Sequence, residues 1–166
     1  MALEHHRPGP ARLALRGVAG RLWSDLHRPI GASGTPLLVF FPDAHRPVVL
    51  PDQLCRDAGL AVLVTRPATL AEAVTVVEWA AEHAADLDTD PARLLVGGER
   101  AGARLAAAVA RHARDERWPP LIRQLLVHPP PGTGPAPGTA PATVADGGTE
   151  LVARLLCRTD TEKGTD

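Results

Sequence analysis

Five residues near the middle of the chain raise the first chemical question. Gly98-Glu99-Arg100-Ala101-Gly102 follows the apolar run Leu94–Val96 and precedes an alanine-rich stretch. It therefore reads as a sharp turn between a buried strand and a helix. In that setting the pattern Gly-x-Ser-x-Gly presents a nucleophilic serine on a strained turn, with backbone N–H groups ready for an oxyanion. Here the serine position holds Arg100. A guanidinium stays protonated in proteins and has no usable lone pair, so it cannot attack a carbonyl. What it offers is charge. Beside the N–H groups of Ala101 and Gly102 at a helix start, Arg100 suits a carboxylate or a phosphate. The plainer reading is an exposed arginine paired with its neighbour Glu99. No Gly-x-x-x-x-Gly-Lys loop adds weight to anion binding.

Other residues invite a chemical reading and carry a plain one beside it. Asp43 and His45, in Pro42-Asp43-Ala44-His45, form an acid–imidazole neighbourhood that is equally two polar residues in a surface loop. Cys55 is the thiol that would replace a serine, yet it sits in a helix pattern where a small apolar residue packs well and no base stands beside it. His5-His6 makes a poor metal site in a terminal segment. The serines of the chain are Ser24 and Ser33, both far upstream of the turn.

The elements that must position these residues follow from periodicity. Ala11–Arg16 and Arg21–Pro29 alternate apolar and polar residues across a glycine-containing turn, which predicts an antiparallel strand pair. Leu37–Phe41, Leu60–Thr65, Arg93–Gly98 and Leu121–Val127 are continuous apolar runs, which predicts strands covered on both faces. Between them lie helical patterns: Leu50–Gly59, then a helix from the capping box Thr69–Glu72 to about Ala85, then Ala101 to about Arg114. The second of these helices presents Leu70, Val74, Val77, Ala81 and Ala84 as its apolar face. The third presents Leu105, Ala108, Val109 and His112. "DTDPAR" reads as a turn. The fold class is α/β: a mainly parallel sheet flanked by helices, with an antiparallel N-terminal strand pair. Residues 1–10 read as a flexible N-terminus, 11–128 as the α/β domain, 129–148 as a Pro/Gly-rich segment, and 149–166 as a short helix and polar tail. In the third of these, Pro129–Pro141 suits a linker, a polyproline segment or a disordered tract.

Composition narrows the partners. A length of 166 residues suits one domain, and 45% hydrophobic residues suffice for a core. A net charge of −1 with scattered basic residues gives no expectation of nucleic acid or of an anionic membrane. The apolar runs are strand-sized and the N-terminus has no apolar leader. Two distant cysteines, Cys55 and Cys157, match neither a CxxC motif nor metal-ligand spacing, so a reduced cytoplasmic protein without metal or cofactor is expected.

"TPLLVFFPDAH", "LCRDAGLAVLV", "AVTVVEWAAEH", "DPARLLVGGERAGARLAAAVA" and "RWPPLIRQLLVHPP" stand in an order that resembles the α/β-hydrolase fold. More narrowly, it is similar to the hormone-sensitive-lipase-like branch of carboxylesterases. The resemblance covers about Leu13 to Pro130. It implies that Gly98–Gly102 is the family's nucleophile elbow with Arg100 in place of serine. It implies that Pro42-Asp43-Ala44-His45 stands where the family keeps an oxyanion His-Gly-Gly-Gly loop. The chain reads as a truncated member: His112 and His128 follow the elbow with no histidine beyond, and Asp146 marks the acid loop. The expectation leans against an enzyme, towards an inactive protein acting by protein–protein association. A homodimer, or a heteromer with a full-length hydrolase, would use Leu121–Val127 as an uncovered edge strand. Carboxylate or phosphate binding at the elbow, and residual hydrolysis, are the alternatives.

Overall fold

The apolar runs assemble into one seven-stranded sheet in the computed structural model, which describes residues 9–17, 20–137 and 140–144. Strands β1 (Ala11–Gly17) and β2 (Gly20–His27) pair antiparallel, with Ala11 opposite Leu26 and Gly17 opposite Gly20. Strands β3 (Thr35–Phe41), β4 (Ala61–Thr65), β5 (Thr89–Glu99), β6 (Leu121–Val127) and β7 (Ala140–Val144) run parallel to one another. The order across the sheet is β1-β2-β4-β3-β5-β6-β7, with β2 antiparallel to β4. Helix α1 (Leu50–Ala58) lies on one face, and α2 (Leu70–Glu82) and α3 (Ala101–Glu116) lie on the other.

Two clusters of buried side chains correspond to those faces. Leu37, Val39, Phe41, Leu63, Leu94 and Val96 point towards α2 and α3. Leu38, Phe40, Val62, Val64, Leu95 and Leu125 point towards α1, where Leu54 and Cys55 meet them. Successive residues of each central strand feed opposite layers, which is why these strands carry no polar alternation.

Both longer helices sit rotated from their expected apolar stripes. Helix α2 buries Ala73, Val76, Val77 and Ala80 while Leu70 is exposed. Helix α3 buries Ala103, Ala106, Ala107, Val109, Ala110 and Ala113, and leaves Leu105 and His112 only partly covered. Small side chains let the helix backbones approach the sheet closely, so the alanine stripe wins over the bulkier one. At the start of α2, Thr69 accepts from the Glu72 N–H at 3.2 Å, and the Glu72 carboxylate reaches past it to the Ala68 N–H at 2.7 Å. Of "DTDPAR", Asp88 ends the turn before the strand, and Thr89–Arg93 form the start of β5. There Asp90 accepts from Arg93 Nε at 2.9 Å and from the Ala92 N–H at 2.9 Å. Those two donors hold the Asp90 carboxyl below its usual range.

The C-terminal part of the sheet corrects another expectation. β6 is not an uncovered edge, because β7 pairs with it from Arg123↔Ala140 to Val127↔Val144. The Pro/Gly-rich tract between them is tied down. Gln124, fully buried in β6, donates from Nε2 to the Ala136 carbonyl and accepts the Ala136 N–H, both at 3.1 Å. A passive linker would need no such clamp. The expected helix over Glu150–Leu156, together with His5, His6, Asp146 and Cys157, lies outside the described residues. Among the described residues no helix is long and apolar enough to cross a membrane.

Candidate functional site

The change of direction in strand order creates the site. α1, leaving β3, goes to one face of the sheet, and α3, leaving β5, goes to the other. Open parallel sheets form a crevice outside the carboxyl ends of two such strands. Here the loop after β3 and the turn after β5 meet in that place.

The turn is built by close backbone contact. A Cβ on Gly98 would collide with the backbone of Gly102, and a Cβ on Gly102 would collide with the Phe41 carbonyl. Between these glycines Arg100 takes φ 53° and ψ −112°, a conformation that side chains disfavour. Its N–H donates to the Val127 carbonyl at 2.9 Å, and its own carbonyl accepts from the Ala103 N–H at 3.1 Å. The turn is thereby pinned to β6 on one side and to the first turn of α3 on the other.

Arg100 does not pair with its neighbour Glu99. Its Nε stands 3.5 Å from Asp43 Oδ2, across the crevice. The other Asp43 oxygen accepts the His45 N–H at 3.2 Å, so the carboxylate closes its own loop and faces the guanidinium. Asp43 is only 13% exposed and Arg100 is 47% exposed. Pro42 is buried, while Ala44 and His45 are exposed. Thus the structure brings together two stretches read separately in the sequence, Pro42–His45 and Gly98–Gly102. A carboxylate and a guanidinium face each other where the two stretches meet.

The remaining candidates fall elsewhere. His112 lies three turns along α3, about 18 Å from the elbow at the usual helical rise. His128 is closer: it follows Val127, the residue paired with Glu99, and has φ 44°. Its place beside the elbow becomes visible once β5 and β6 are in register. Cys55 is buried against the α1 side of the sheet, and burial, with Asp52 adding to it, pushes its thiol from 9.0 up to about 11. Such a thiol is not a nucleophile near neutrality. One acid–imidazole pair escaped sequence reasoning altogether: His27 Nδ1 lies 2.7 Å from Asp52 Oδ1, tying the end of β2 to the first turn of α1. Among the described residues no three of His, Cys, Asp and Glu gather as a metal site.

A family model described as alpha/beta hydrolase fold matches residues 60–159. This chain belongs to the α/β-hydrolase fold family. Its mainly parallel sheet and antiparallel leading strand pair are those that the sequence predicted. The carboxylic ester hydrolase LipN of Mycobacterium tuberculosis is 34% identical over 151 residues, covering 74% of this chain and 40% of LipN. The carboxylesterase NlhH of the same species is 41% identical over 63 residues, covering 38% of this chain and 20% of NlhH. Among solved structures, a hyperthermophilic esterase from the archaeon Pyrobaculum calidifontis superimposes with a TM-score of 0.67 at 24% identity. That match covers 75% of this chain and 45% of the archaeal one. The chain therefore spans less than half the length of these hydrolase-fold relatives, within an esterase-like fold.

Proposed function

We propose that this hydrolase-fold chain is non-catalytic at its elbow and acts by associating with another chain, either a second copy or a longer hydrolase-fold protein. The observation that carries this reading is the Arg100–Asp43 pair. The relatives named above are ester hydrolases, and ester hydrolysis at an elbow needs a nucleophile and donors aimed at a developing oxyanion. Arg100 supplies no nucleophile, and the Asp43 carboxylate opposes an oxyanion. Losing one oxyanion donor typically costs about 3–4 kcal/mol of transition-state stabilisation, and a nearby anion adds to that cost.

Association is supported by the sheet's outer strands. Among the described residues β7 ends the sheet, and an outer strand offers unpaired N–H and C=O groups to a further strand. Light scattering after size-exclusion chromatography tests this part. A mass of twice the chain, or co-elution with a longer hydrolase-fold partner, is expected; a monomer at every concentration that binds no such partner contradicts it.

Carboxylate or phosphate binding at the elbow has less support. Asp43 already supplies the counter-charge to Arg100, so acetate or phosphate is expected to leave the melting temperature unchanged.

A further inference from the structure

The hairpin of β1 and β2 has two unlike faces. Leu13, Leu15, Leu22 and Leu26 point to the α2 side and join the core. The opposite face carries Arg12 and Arg16 from β1 and Arg21 and Trp23 from β2, all exposed, and the half-buried Asp25, which stands directly opposite Arg12. Trp23 is 51% exposed, the Arg12 guanidinium lies over its ring at 5.1 Å, and Arg16 stands directly opposite Arg21. Helix α1 covers this face only at its end, where Asp52 meets His27.

The hairpin also outruns its neighbour. β2 pairs with β4 only from Ser24↔Thr65 to His27↔Val62, so Gly20–Trp23 and their β1 partners project past the carboxyl end of β4. Like charges directly opposite in a strand pair are destabilising. Among the described residues neither Arg16 nor Arg21 has an ion pair. Three arginines, a half-exposed indole and one carboxylate thus share a platform of net positive charge in a chain whose net charge is −1.

We propose that this face docks an extended acidic segment of a partner protein, an inference that rests on the associative reading above. A strand laid beside β1 would place alternate side chains next to Arg12, Ala14 and Arg16, so acids at every second position would meet the guanidinium groups. An apolar residue in place of the acid next to Ala14 would reach across that small side chain to Trp23, its cross-strand partner. A second copy of this chain would bring arginine against arginine here, so the occupant is a different, acidic chain. Charge complementarity of this kind sets partner choice and association rate more than raw affinity.

Fluorescence anisotropy of a labelled peptide repeating Glu-Thr-Val-Thr, which sets Glu and Val alternately on one strand face, added to the full-length chain, tests the proposal. Saturable binding is expected, weakened about tenfold in R16Q/R21Q through loss of two exposed charge contacts. Salt at about 0.5 M should weaken it comparably. W23A, whose fold is checked by circular dichroism, should weaken binding of the Val-containing peptide without changing its salt dependence. Equal binding of a Gln-for-Glu peptide would overturn the proposal. So would an unchanged R16Q/R21Q affinity, or preferential binding of an oligouridylate. A dimer by light scattering with no acidic-peptide binding would overturn this face and leave the associative reading standing. A partnerless monomer that binds the peptide would do the reverse.

Discussion

Arg100 adopts φ 53° and ψ −112°, roughly the mirror image of extended backbone, which glycine enters freely and other residues enter at about 1–3 kcal/mol. Its ion pair with Asp43 is half-exposed on the arginine side, and such pairs contribute about 1 kcal/mol or less. The pair therefore does not hold the strained turn by itself. The packing of Gly98 and Gly102 against backbone imposes it. It follows that R100G should be more stable than R100A by about 1 kcal/mol in urea denaturation, the reverse of the usual preference for alanine at a helix start. Equal stabilities, or a more stable R100A, would mean that the turn is not strained. Cys55 gives a second prediction at this scale. Its folded pKa, about 11, lies above the ordinary value of 9.0, so the fold favours the neutral thiol. That contribution is complete below pH 9.0 and is lost as pH rises towards about 11, because the unfolded chain ionises first. C55A should lose less stability than wild type across that alkaline window, and parallel curves for the two would contradict the assignment.

At the scale of elements, Gln124 decides how the last described strand is attached. Its amide fills both hydrogen-bonding needs of Ala136 in a dry place, beside α3, whose Arg111 also reaches the Gly134 carbonyl at 3.4 Å. Q124A leaves an N–H and a C=O unmet and should destabilise the chain by about 2–4 kcal/mol, with faster hydrogen exchange in β7 than in β3. A loss under about 0.5 kcal/mol would contradict the clamp. This clamp was not legible beforehand, since a buried glutamine in "LIRQLLV" gives no sign of its partner across a proline-rich stretch. The strands were legible, because a run such as Leu37–Phe41 has one plausible environment, a sheet covered on both sides. The helices were legible as elements and misread as surfaces. In α3, Leu105 and Val109 suggest one stripe, whereas close approach to the sheet selects Ala103, Ala106, Ala107 and Ala110. The sharp turn between β5 and α3 was legible from its glycines and its place after an apolar run. The partner of Arg100 was not, because Asp43 is distant in sequence and arrives only through the parallel pairing of β3 with β5.

At the scale of the whole molecule, the chain has an α/β-hydrolase fold, and on the reading proposed above the turn at Arg100 is an elbow whose electrostatics have changed. The mainly parallel sheet with its antiparallel leading pair is that of an α/β-hydrolase fold. The crevice holds a guanidinium and a carboxylate in mutual contact, and the charged platform lies on the leading hairpin, on the far side of β4 from β3. Separating these two features predicts that variants at the hairpin leave the elbow unaffected and that elbow variants leave acidic-peptide binding unchanged. The claim underneath both is that the elbow carries no catalysis. Its most direct measurement is the rate of p-nitrophenyl butyrate hydrolysis by the wild-type chain, with heat-denatured protein, C55A and D43N alongside. The account predicts a rate equal to that of denatured protein and unchanged in either variant. Saturable turnover by the native chain that either substitution abolishes would contradict it.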